Sequence, residues 1–185
     1  NNLANGRLQA AGYLRNLGRW LEAADEARVN RDVEPFARVR SLPSAIIMYT
    51  HGQVAYLLGQ LGDSAGAREH LKEYKLYAEL YRKRLTPGSF EHDVFMVDDT
   101  VGHFEIAFAM GDEALMRDTA SGLLERIERL KPANAGQQRG QDFFLNRLHR
   151  GLGRAALMRG DAPGAVDAMR ACLEYRAKLP TLRMG

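Results

Sequence analysis

Four glycines constrain this chain more than any other feature. Gly18, Gly62, Gly111 and Gly160 stand 44, 49 and 49 residues apart, and three of the four are followed by aspartate: Asp63, Asp112 and Asp161. A glycine just past a helix end can take the left-handed conformation that stops the helix at little steric cost. An aspartate immediately after it can cap the next helix by accepting from the exposed N–H groups. Pro163 falls where a helix's first turn tolerates proline. Each glycine therefore marks a tight turn between two helices, and their regular recurrence marks a repeat of helical hairpins.

The flanking residues carry the matching periodicity. Val54, Leu57, Leu58 and Leu61 recur at helical spacing before Gly62, and Ala67, Leu71, Tyr74 and Ala78 do so after it. Around Gly160 the same pattern runs through Leu148, Leu152, Ala155 and Ala156, then Ala165, Ala168, Met169 and Cys172. These spacings predict hairpins over about 3–31, 44–85, 98–130 and 141–178. Their first helices lie near 3–17, 44–61, 98–110 and 141–159, and their second near 19–31, 63–85, 112–130 and 161–178. Pro35 and Pro43 interrupt the first connection, Thr86-Pro87-Gly88-Ser89 opens a loop expected to last to Val97, and Lys131 to Gly136 reads as another. In the Thr86–Val97 stretch, Phe90, Phe95 and Met96 are expected to tuck against the helices.

Composition agrees with helices throughout. Ala and Leu total 49 residues against 17 for Val, Ile and Thr, which lose side-chain freedom in a helix. The expected fold is all-α: one domain over 1–185, an α-solenoid of four antiparallel hairpins. A single hairpin cannot bury its apolar face alone, so hairpins stack and leave a curved surface for partners.

Several classes of function are disfavoured. No uncharged apolar run reaches the ~20 residues needed to cross a bilayer. The net charge of +3 is too balanced to imply nucleic acid. Residues 134–185 do hold nine basic and four acidic side chains, but the repeats share no regular pair of polar base readers. The single cysteine, Cys172, cannot form an internal disulfide, sits at a small core position and suits a reducing, cytoplasmic setting. There is no phosphate-cradling loop, since the turn glycines each end a helix, and no nucleophile elbow. His92, Asp93, Asp98, Asp99 and His103 are the one cluster with metal-like content, yet most of them fall in the expected loop, and Asp98 and Asp99 suit helix capping. Neither an enzyme activity nor a cofactor is expected. The opening Asn1-Asn2-Leu3, without methionine, reads as part of a longer protein.

At the turns, Gly18-Arg19-Trp20 and the Gly-Asp pairs, with Ala23, Ala67 and Ala165 five residues after the glycine, resemble the tetratricopeptide repeat family. Ala11, Ala55 and Gly153 match its mid-helix small position, whereas Phe104 and Met116 depart from its pattern. The family's common unit is about 34 residues. A period of 44 to 49 therefore resembles the long-helix variants of bacterial regulators and scaffolds.

The resemblance implies a concave face that, carried over position by position, falls on Tyr49, Tyr56, Asp98, Glu105, Phe108, Arg147, Arg150 and Arg154. The three arginines lie at i, i+3 and i+7, on one helix face. Arginine with tyrosine is hot-spot chemistry, and a guanidinium pair suits an acidic segment or a C-terminal carboxylate. A plainer reading makes Asp98 and Glu105 the ion-pair partners of Arg147 and Arg154 in the neighbouring repeat. The expected function is a non-enzymatic scaffold for a protein or peptide, within a bacterial signalling or assembly protein. The alternative is a ligand- or peptide-sensing domain of a bacterial transcription regulator, with a closed pocket walled by Phe104 and Phe108.

Overall fold

At each of the four glycines the chain ends a helix in the same way. In the computed structural model, φ is +75° at Gly18, +83° at Gly62, +67° at Gly111 and +73° at Gly160. Every glycine N–H donates to the carbonyl three residues back: to Arg15, Gly59, Phe108 and Leu157, at 3.0–3.1 Å. The next N–H, from Arg19, Asp63, Asp112 or Asp161, reaches the carbonyl five residues back, at 2.9–3.0 Å. This paired bonding satisfies carbonyls that a helix terminus leaves without an intrahelical partner. Asp63 and Asp161 then accept from the N–H groups of Gly66 (2.9 Å) and Gly164 (3.0 Å), capping the following helices as the sequence predicts. Asp112 is engaged elsewhere as well, taking a 3.1 Å bond from Arg68.

The structure describes residues 9–15, 17–19, 21–26 and 44–179. Trp20, Pro35, Pro43 and both ends of the hairpin expected over 3–31 lie outside them, and within that hairpin helical stretches are described at 9–15 and 21–26. The described helices that follow are α1 (Ser44–Gln60), α2 (Ser64–Arg82), α3 (Phe90–Met110), α4 (Glu113–Ala120), α5 (Leu123–Glu128), α6 (Ala135–Met158) and α7 (Ala162–Lys178). Helix accounts for 82% of the described residues, and no strand occurs among them. None of these helices is long and apolar enough to cross a membrane. Helices α1 and α2 pack as one pair across Gly62, and α6 and α7 as another across Gly160.

Three boundaries differ from the sequence expectation, each for a local reason. The stretch from Thr86 to Val97 is not a loop: α3 begins at Phe90, where Ser89 Oγ accepts from the His92 N–H at 3.1 Å. The expected helix over 112–130 is two helices, broken where Gly122 takes φ +72°. Helix α6 starts at Ala135 rather than near 141, because Asn134 accepts from the Gln137 N–H while the Gln137 side chain accepts from the Ala133 N–H. That reciprocal arrangement satisfies two exposed donors at once, in the manner of a capping box.

The described residues fall into two compact units. The first takes those up to Thr86 together with Glu105–Glu113, and the second takes Pro87–Phe104 together with those from Ala114 onward. The first unit's core is built on small side chains, with Ala11, Ala23, Ala24 and Ala67 around Val54, Leu57 and Leu58. Alanines at these positions let helix backbones approach closely, as with Gly59, where an added Cβ would lie 3.0 Å from the backbone of Ala109 and Met110. The second unit's core is bulkier, with Val97, Val101, Leu123, Ile127, Phe144, Leu145 and Leu148.

The repeat register is visible in burial. The residues five after the turn glycines, Ala23, Ala67, Met116 and Ala165, are all buried, and so are those seven before it, Ala11, Ala55, Phe104 and Gly153. Where the third repeat puts Phe104 in a small-residue position, Gly151 on α6 makes room. A Cβ there would sit 3.1 Å from Phe104 Cδ1 and closer still to Cε1.

Candidate functional site

The eight residues expected to line a shared face divide between the two units. Tyr49, Tyr56, Glu105 and Phe108 belong to the first, and Asp98, Arg147, Arg150 and Arg154 to the second. In the first unit Tyr49 stands exposed on α1. Tyr56, two turns further along the same face at i+7, is partly buried, with the Arg15 guanidinium 5.2 Å from its ring centroid. Glu105 and Phe108 are half-buried on the C-terminal part of α3.

In the second unit the structure brings two of the four together. Arg147 Nη1 lies 3.0 Å from Asp98 Oδ1, with side chains only 19% and 15% exposed. The same guanidinium sits 5.5 Å from the Phe143 ring. An aromatic face and a carboxylate thus hold one cation between them, and partial burial protects the pair from the screening that weakens surface ion pairs. Asp98 and Arg147 occupy the same register of consecutive repeats, 49 residues apart, so the ion-pair reading holds at this position. Arg150 and Arg154 follow on the same helix face and are exposed.

The His/Asp cluster on α3 resolves into local contacts. His92 Nδ1 is 3.2 Å from Asp93, His103 Nδ1 is 2.8 Å from the Asp99 carbonyl, and Asp98 turns to Arg147. Among the described residues, no three His, Cys, Asp or Glu side chains converge as metal ligands would. Cys172 Sγ takes a 3.2 Å bond from Asn146 Nδ2, which also donates to the Cys172 carbonyl.

Two features escaped the sequence reading. The first is a pair of stacked rings repeated in register. His51 lies on Tyr77 (centroids 5.8 Å apart, planes at 11°), and His149 lies on Tyr175 (5.6 Å, 9°). Each histidine precedes its turn glycine by 11 residues and each tyrosine follows it by 15, so the signal was present in the spacing. His51 also faces His70 across the hairpin, Nδ1 to Nδ1 at 3.0 Å, so one ring donates and the other accepts. Burial holds the His149 imidazole below its ordinary pKa, against the raising pull of Glu128 and Glu174.

The second is a cavity of about 330 Å³ in the second unit, lined by Asp93, Met96, Val97, Arg126, Arg129 and Leu130. Phe104 is not among its walls, being packed against Gly151 instead. No family model matches the chain, and neither a curated protein nor a solved structure matches it.

Proposed function

We propose that this chain is a non-enzymatic, tetratricopeptide-like interaction module that holds an acidic peptide or protein segment against the arginine face of α6. The observation that carries this reading is a row of three arginines on one face of α6, of which Arg150 and Arg154, one and two turns beyond the Arg147–Asp98 pair, are exposed. Two guanidiniums on one helix face suit bidentate pairing with carboxylates, and a neighbouring ion pair fixes the helix that presents them.

The test is a selection from a displayed peptide library on the purified protein, repeated with the Arg150→Glu, Arg154→Glu variant. Recovered peptides should be enriched in Asp and Glu, and the reversed-charge variant should lose them while keeping its circular dichroism. Peptides without acidic bias, or bound equally by the variant, would remove α6 as the binding face. A second reading, a ligand-sensing domain, has the 330 Å³ cavity in its favour.

A further inference from the structure

The cavity between α3 and the end of α5 has walls of opposite charge. Asp93, Met96 and Val97 come from α3 at i, i+3 and i+4, one helical face. Arg126, Arg129 and Leu130 come from α5 and the residues just after it, at the same spacing. Each wall therefore carries charge at its rim and apolar atoms at its base. Val97 and Leu130 are core residues, 2% and 7% exposed, so the floor is fixed.

The two signs do not meet. Asp93 pairs with its neighbour His92, and Arg129 pairs with Glu125 on its own helix. No ion pair among the described residues joins Asp93 to Arg126 or Arg129 and closes the cleft. The α5 end is also pinned from behind, where Gln141 Nε2 donates to the carbonyl of Ile127 at 2.7 Å.

We infer that this cleft binds an α-amino acid with an apolar side chain, its ammonium on Asp93, its carboxylate on Arg126 and its side chain on Met96, Val97 and Leu130. The chemistry disfavours simpler ligands. A plain anion would meet Asp93, a plain cation would meet two guanidiniums, and an uncharged apolar ligand would desolvate all three charges without pairing them. A zwitterion with an apolar body satisfies both rims and covers the floor. The volume lies at the lower end of the ~300–1,000 Å³ span of small-molecule pockets, which suits a ligand of amino-acid size. The inference rests on the ligand-sensing reading and is independent of the arginine face of α6.

Isothermal titration of the full chain with four compounds tests it: L-leucine, N-acetyl-L-leucine, L-leucinamide and glycine. Leucine is expected to bind, and each of the others, lacking the ammonium, the carboxylate or the side chain, to bind at least about tenfold more weakly. Asp93→Asn should abolish the preference for leucine over N-acetyl-leucine, and Arg126→Gln the preference over leucinamide. Both positions are on the rim, and unchanged circular dichroism would verify the fold. Equal binding of leucine and N-acetyl-leucine would overturn the zwitterion while leaving a ligand site in place. If none of the four binds, the inference falls. Native mass spectrometry of the purified protein then decides the broader reading: a co-purifying small molecule keeps ligand sensing alive, and its absence ends it.

Discussion

Single residues set how closely the helices approach. Gly151 and Gly140 stand on the same helix, and substituting each by alanine should give opposite results. Alanine is worth up to about 1 kcal/mol over glycine inside a helix. At Gly140 an added Cβ meets nothing within 4 Å, so Gly140→Ala should stabilise by roughly 0.5–1 kcal/mol. At Gly151 the same methyl runs into the Phe104 ring, which is 1% exposed and enclosed by the core. Overpacking of this kind costs about 1–3 kcal/mol, enough to outweigh the propensity gain. Urea denaturation of the two variants checks the pair, and a stabilised Gly151→Ala would mean that Phe104 has room to move. The departure of Phe104 from the small-residue pattern was plain in the sequence. Its compensation by Gly151 was not, because the two are 47 residues apart and nothing local links them.

His149 gives a prediction at the same scale with a definite sign. Burial lowers its pKa in the folded state, so the unfolded chain takes up the proton first as the pH falls. The stability it contributes is complete above its ordinary value of 6.5 and is lost as the pH drops through that value towards the lower folded one. His149→Phe keeps a ring against Tyr175 and removes the titration. The wild type should therefore lose more melting temperature than the variant between pH 7 and pH 5. Parallel melting profiles would show that other groups govern acid sensitivity.

Among the elements, the turns were legible and the helix starts were only partly so. A glycine followed by aspartate at a regular interval has one economical explanation, and all four glycines take the left-handed conformation it requires. The starts of α3 and α6 are hidden by the breaker residues beside them. Pro87 and Gly88 make a short connection and Ser89 caps the helix directly, although Phe90, Val94, Val97 and Val101 already recur at helical spacing. Asn134 and Gln137 likewise hold the spacing of a reciprocal cap. The break at Gly122 was harder to see, since an isolated glycine is also tolerated within a helix. For the turns themselves, Gly160→Ala forces a side chain into φ +73° and should cost about 1–2 kcal/mol. Asn at the same position, which tolerates the left-handed region better, should recover part of the loss. Equal stability of all three proteins in urea would deny that the left-handed turn holds the α6–α7 pair.

At the scale of the whole molecule, the repeat predicts equivalent hairpins, and α1–α2 and α6–α7 are equivalent in more than their turns. Both have an aspartate cap, a buried alanine five residues after the glycine and a histidine stacked on a tyrosine in the same register. The candidate binding residues were less legible than the fold, because a charged side chain's partner depends on packing that periodicity does not specify. Arg147 shows both sides of this: the register put it opposite Asp98, 49 residues earlier, and the pair forms, whereas the Phe143 ring that shares its guanidinium had no signal in the repeat spacing. Helix α3 serves both compact units, with Val97 and Val101 in the core of the second and Ile106 and Ala107 buried in the first. A proline in mid-helix removes a backbone bond and clashes with the preceding turn, at about 3 kcal/mol or more. Glu105→Pro, at the point where one unit gives way to the other, should therefore loosen both. Native-state hydrogen exchange would show it as lost protection in Val54–Leu58 of the first unit and in Phe144–Leu148 of the second. Loss confined to one set would mean that each unit holds its share of α3 without help from the other, and the chain would then unfold in two steps instead of one.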